Sequence, residues 1–348
     1  MEQQRHGPSR RQVLRRGAGI AAVAAAGPAV TLGAAGVAHA DVGATPHFYL
    51  PGDGDILVRR ATLHQPNWAM QSFAFDNVNG HIYFVQDKSG QAAGNKGDLW
   101  ITKTDLSGNI LGAMALWNFG HGSSMGVEPV GSGSTPYLWL EGASSAEGAG
   151  QRLARFRFVD GLTLDYTNPV ITIYDRTPTI NSYAKLPRPA IDPYKNRLLI
   201  RYATQEPADR VWRIAVFSMA DAAAGRLGQD NRLAERAIPN NKELGLSDLD
   251  LFQGIALCGQ YVYLSYGDAG RGSYLVILDL NQTGGSYAEV YEHHVADSFP
   301  GRDMQGAAIW MSAGQPRLAC GISAKEGTPD TFDATIFYKS QFISTWPA

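Results

Sequence analysis

Apolar residues fall in short runs of about five to eight positions, alternating or continuous, and the runs are bounded by Gly, Asn, Asp, Ser and Pro. A helical period is nearly absent; the single helical stretch predicted lies at 220–225. The pattern therefore predicts a chain built from β-strands, and it repeats. A polar residue precedes small or apolar residues, then a turn, then a strand rich in aromatic and β-branched side chains. This unit recurs five times, at intervals of roughly 50 to 65 residues.

The first unit reads as a strand at 71–76, a turn at 77–80 and a strand at 81–86. The second is 124–128, a turn at 131–134 and 137–141; the third is 188–192, a turn at 193–196 and 197–202. The fourth is 253–258 and 261–266 around Gly259, and the fifth is 305–310 and 317–321 around Gly314. Third strands follow at 98–106, 152–159, 211–219, 273–280 and 334–338. Repeats of this length and strand content predict an all-β, five-bladed β-propeller. The last unit runs out of chain before a fourth strand, whereas a strand at 56–63 precedes the first unit without a blade. Giving that N-terminal strand to the last blade would complete it, close the ring and cover an exposed edge. An open sandwich accounts for strands, but not for five anchored repeats with a shortfall at both ends.

Residues 1–40 stand outside this pattern. Ser9-Arg-Arg-Gln-Val-Leu-Arg15 forms a twin-arginine box ahead of an Ala/Gly/Val-rich run, and Ala38-His39-Ala40 offers a small-x-small cleavage site. The reading is a twin-arginine signal peptide at 1–40 and one propeller domain at 41–348, secreted and free of the membrane after cleavage. The first cysteine is Cys258, so no lipid-anchoring cysteine follows the cleavage site. The whole chain has 30 Lys+Arg and 32 Asp+Glu; five arginines and one glutamate lie in the signal, which leaves a net charge of −6. No basic run suited to nucleic acid survives. Cys258 and Cys320 leave a single disulfide open, and a monomer is expected.

In a propeller the innermost strands line one channel, so a polar residue per blade brings side chains remote in sequence together. Gln71, Arg188, Gln253 and Gln305 are the expected ligand-binding anchors, joined by His121 and Glu128 from the second unit. Amides donate and accept while arginine grips anions, a mixture suited to sugar hydroxyls, carboxylates or phosphates. The same glutamines could instead hold neighbouring blades together by satisfying backbone groups. Phe119-Gly-His-Gly-Ser-Ser-Met-Gly-Val-Glu128 is the densest segment. It makes His121 and Glu128 candidate acid/base residues and Tyr183 a third catalytic candidate, as in a His/Tyr-based lyase, with Tyr183 and Arg188 also holding an anionic sugar. Trp68 and Trp139 could stack on sugar faces. Gly122-Ser-Ser-Met-Gly126 fits Gly-x-Ser-x-Gly, but a nucleophile elbow needs a helix where a strand is predicted. His293, His294, Asp297 and Asp303 are poor metal ligands, since adjacent histidines on a strand face opposite ways. No metal and no cofactor is expected.

Gln71-Ser-Phe-Ala-Phe-Asp76 with Gly80-His-Ile-Tyr83, Gly97-Asp-Leu-Trp-Ile-Thr102 and Gly120-His-Gly-Ser-Ser-Met-Gly-Val-Glu128 resemble a known propeller family. It is that of staphylococcal phage receptor-binding proteins and of bacterial chains called teichoic acid biosynthesis protein C or phage baseplate protein. The resemblance implies a five-bladed ring and recognition of a cell-wall glycopolymer such as wall teichoic acid. A phage baseplate role fits poorly with an export signal. Three function classes follow: a secreted module binding cell-wall or extracellular polysaccharide; a polysaccharide lyase or glycoside hydrolase using His121 and Glu128; and a scaffold for another protein.

Overall fold

Five sheets stand in a ring in the computed structural model, which describes residues 42–52, 54–87, 97–168, 175–180, 185–204, 211–269, 271–282, 287, 289–294, 302–325 and 331–344. The chain divides into Met1–Ala38 and His39–Ala348, and every described residue belongs to the second unit. Tyr183 and Asp297 lie outside the described residues.

Strand β1 (Asp55–Thr62) comes first. Blade one follows as β2 (Ala69–Asp76), β3 (His81–Asp87), β4 (Leu99–Asp105) and β5 (Ile110–Trp117). Blade two is β6 (Gly126–Glu128), β7 (Tyr137–Ser144) and β8 (Gly150–Arg157), after which comes β9 (Thr163–Asp165). Blade three is β10 (Lys185–Asp192), β11 (Arg197–Ala203), β12 (Trp212–Ser218) and β13 (Arg232–Ala237), with short helices α1 (Met219–Ala223) after β12 and α2 (Asn241–Leu244) after β13. Blade four is β14 (Leu251–Cys258), β15 (Tyr261–Gly267), β16 (Ser273–Asp279) and β17 (Glu289–His293); blade five is β18 (Asp303–Ser312), β19 (Gln315–Ala324) and β20 (Asp333–Lys339). β1 pairs antiparallel with β20, from Asp55 opposite Tyr338 to Thr62 opposite Asp333, so the fifth sheet joins one early strand to three late ones.

Burial explains why the inner strands read as continuous apolar runs. Each blade packs on two neighbours, so β2, β3 and β11 are buried on both faces, whereas the outer β13 alternates. The core is correspondingly divided into five apolar clusters, one for each joint of the ring. Val85, Ile101 and Met114 of blade one meet Leu138, Leu140 and Phe156 of blade two. Trp139 and Leu153 meet Ile200 and Phe217; Leu199 and Val216 meet Ile255 and Leu264; Tyr263 and Ile277 meet Ile309 and Leu318. Ala308, Ala319 and Val58 meet Phe73 and Phe84, which joins blade five to blade one. Cys258 and Cys320 are free thiols buried in this core.

Two departures from the expected pattern occur in blade two. The strand foreseen at 124–128 is reduced to Gly126–Glu128, because residues 118–125 leave the sheet as a loop. Among the described residues the sheet of this blade has three strands, with an isolated antiparallel bridge from Ala154 of β8 to Asp175; β9 pairs in parallel with β5, from Ala115 opposite Thr163 to Trp117 opposite Asp165. At the foot of the ring one turn clamps both neighbours of blade one. The Asn77 amide donates to the Ile309 carbonyl and its oxygen accepts from Met311, while the Asn79 side chain reaches Ser134 and Gly133 of blade two.

Candidate functional site

Four of the inner strands carry an irregularity near their N-terminal end. The register slips between Met70 and Ser72, between Lys185 and Arg188, between Phe252 and Gly254, and between Met304 and Ala307. Gln71 and Gln253 are therefore bulge residues, Gln305 lies within the slip in blade five, and Arg188 closes the slip in blade three. A bulge leaves its residue out of the ladder and re-aims the side chain.

The residue after each anchor is where neighbouring blades touch. A Cβ on Gly254 would lie 2.5 Å from the Gly306 Cα, and one on Gly306 would lie 3.0 Å from the Ser72 Cα. The Ser72 hydroxyl donates to the Gly122 carbonyl at 2.6 Å. The Ser124 hydroxyl donates to the Pro189 carbonyl. Blades four, five, one, two and three are thus joined at the axis by small residues and proline. Gln253, Gln305, Gln71, His121 and Arg188 each stand one position before such a contact, and so share one end of the channel. Farther along the axis the lining turns apolar, with Ala74, Ala190, Ala256 and Ala308.

The loop of blade two brings charge to this mouth. Gly122, at φ +78, adopts a conformation that side chains resist, and a Cβ there would meet Val85 at 2.5 Å. Its N–H donates to Glu141 Oε1 at 2.6 Å, and the Gly150 N–H donates to Glu141 Oε2 at 2.6 Å. Arg188 meets Glu141 at 2.5 Å and donates to the Ser123 hydroxyl at 2.9 Å. His121 Nδ1 lies 3.0 Å from Asp87 Oδ2, with half of its side chain open to solvent. Loss of water around the ring opposes its charge, but the hydrogen bond and attraction from Asp87, with Glu141 adding, raise the His121 pKa against Arg188. Asp303 accepts from the Gln305 amide at 2.5 Å. Burial, with the field of Asp268, pushes the Asp303 carboxyl from 3.8 up to about 6, although Gln305 and His121 oppose this.

The structure does not bring every candidate here. Glu128 is not the partner of His121: both its oxygens are held by Arg155 at 2.8 Å, and one also accepts from the Trp139 indole at 2.8 Å. Strand direction is the reason, since β6 carries the chain away from the mouth and Glu128 is its last residue. Trp139 is fully buried between blades two and three, so it presents no face to a ligand. Trp68 is half-buried, and its carbonyl accepts from Gln86. Ser124 is buried with its hydroxyl engaged, and a strand follows it, which removes the nucleophile elbow. Asp87 and Glu141 went unread because their partners lie across strands and blades. Among the described residues no group of three or more His, Cys, Asp or Glu is placed to hold a metal, and no helix is long and apolar enough to cross a membrane.

Fold and mouth together define a five-bladed β-propeller with a polar axial opening. The chain belongs to the family of the phage 5-bladed beta propeller receptor binding platform domain, whose family model matches residues 69–297. It is 30% identical over 206 residues to the "Putative major teichoic acid biosynthesis protein C" of Bacillus subtilis (strain 168), a match spanning 59% of this chain and 43% of that protein. Among solved structures it resembles the tail fiber of Staphylococcus aureus phage P68, with a TM-score of 0.64 and 20% identity, over 83% of this chain and 53% of the other. The chain therefore spans about half the length of these relatives.

Proposed function

We propose that the protein is an exported recognition module for a cell-wall glycopolymer, seated over the channel mouth at Gln71, His121, Arg188, Gln253 and Gln305. One observation carries this reading: each of these residues immediately precedes a contact between blades, so five side chains scattered over the sequence converge by construction. Family membership and the teichoic acid name of the Bacillus subtilis relative support the polymer class. The twin-arginine box supports export.

A catalytic reading has one observation behind it, the Asp87–His121 pair beside an open surface. Turnover separates the two, read as new reducing ends or as absorbance from new double bonds.

Binding of the purified protein to wall teichoic acid and to neutral cell-wall polysaccharide, measured by calorimetry, tests the proposal. Gln71→Ala should weaken binding about tenfold or more, while Glu128→Gln should leave it unchanged. Equal affinity in wild type and Gln71→Ala, or loss in Glu128→Gln alone, would move the site away from the mouth.

A further inference from the structure

Buried acceptors at the mouth stand without donors. Among the described residues the Gln71 amide has no hydrogen-bonding partner, although Gln71 is only 7% exposed. The Gln253 amide donates to the Gly267 carbonyl, which leaves its Oε1 unused. Gln305, 3% exposed, donates to Asp303 and keeps a buried Oε1 with no partner. Oδ1 of Asp303 is buried and unpartnered too, as is the hydroxyl of Ser323, which lies directly across the β18–β19 ladder from Asp303. The two buried acceptors, Gln305 Oε1 and Asp303 Oδ1, cost free energy while empty, and a donor fills them; the Ser323 hydroxyl and the Gln71 amide nitrogen can donate as well as the oxygens accept.

Charge points the same way. Asp87 and Glu141 act on His121 beside Arg188, while Asp303 feels Asp268 and His121, so carboxylates outnumber the basic groups linked to them here. Arg188 is already engaged by Glu141 and Ser123. A phosphodiester brings only acceptors and further negative charge, so it would leave Gln305 Oε1 and Asp303 Oδ1 unfilled and add to the charge of the carboxylates. An ammonium group brings three donors and the missing positive charge.

We propose, building on the reading of the mouth as a glycopolymer site, that the unit seated there is a sugar bearing a free ammonium group, held by Asp303 and the amide oxygens of Gln71, Gln253 and Gln305. The polymer's phosphates, where it has them, lie outside the mouth. Acid should weaken this contact, because below about 6 Asp303 takes up a proton while His121 stays charged. The groups facing Asp303 do not reverse that sign: Asp268 and His121 act on it directly, and Asp87, Glu141 and Arg188 surround His121.

The test is calorimetric titration of the purified protein with a glucosamine tetrasaccharide, its fully N-acetylated counterpart and poly(glycerol phosphate), at neutral pH and near pH 5. The glucosamine tetramer should bind about tenfold more tightly than the acetylated one, and lose about as much in Asp303→Asn and in acid. Poly(glycerol phosphate) should be the weakest probe. If the acetylated or phosphate probe binds as tightly, and Gln71→Ala still weakens it, the mouth stands and the ammonium assignment falls. No binding of the glucosamine tetramer would likewise reject the assignment. Probe binding that no substitution at the mouth alters would reject the mouth itself.

Discussion

Asp303 sits where folding and ligand chemistry pull in opposite directions, because the carboxyl that would hold a cation is itself largely buried. Its pKa of about 6 in the fold, against 3.8 unfolded, means the folded state binds the proton more tightly. The stabilisation from that proton is complete below the unfolded value and is lost as pH rises through about 6. Asparagine has no proton to lose. Asp303→Asn should therefore match the wild type near pH 4 and exceed it by up to ~3 kcal/mol at pH 7.5, read from urea unfolding. An equal difference at both pH values would show that Asp303 is not held in a desolvated site. The anchors were legible in the sequence because a polar residue followed by a small one repeats in register with the blades. Asp87 and Glu141 were not, since nothing local marks a carboxylate whose partner belongs to another strand or blade.

Strands and turns were the most readable features. Hairpins such as β2–β3 and β14–β15 announce themselves through apolar runs broken at Asn77–Gly80 and Gly259, and burial on both faces keeps those runs continuous. Blade two departs from its sequence pattern at two elements, for one physical reason each. Gly120 and Gly122 let residues 118–125 approach Glu141 and Val85 too closely for a strand, and β9 finds its partner in blade one. Tight approach also governs the axis. Gly254→Ala would place a methyl group 2.5 Å from the Gly306 Cα, where only backbone can yield. It should cost ~1–3 kcal/mol in thermal or urea unfolding, with the loss spread over blades four and five in hydrogen exchange. Unchanged stability would mean that these two strands do not meet as described.

For the whole molecule, ring geometry turns a sequence repeat into a site. Five apolar clusters, one per joint, fix the blades, and the small residues at the axis set how closely the anchors converge. The ring could be foreseen from the repeat and from unpaired strands at the two ends of the pattern. The charge balance at the mouth could not, because it depends on a loop that replaces part of an inner strand. Hydrogen–deuterium exchange with and without saturating cell-wall glycopolymer tests the central claim most directly. The account predicts slowed exchange concentrated at 71–72, 121–124, 188–190, 253–254 and 303–306, with the Glu128–Arg155 region unchanged. Protection confined to that region or to the outer strands, with the mouth unaffected, would contradict it.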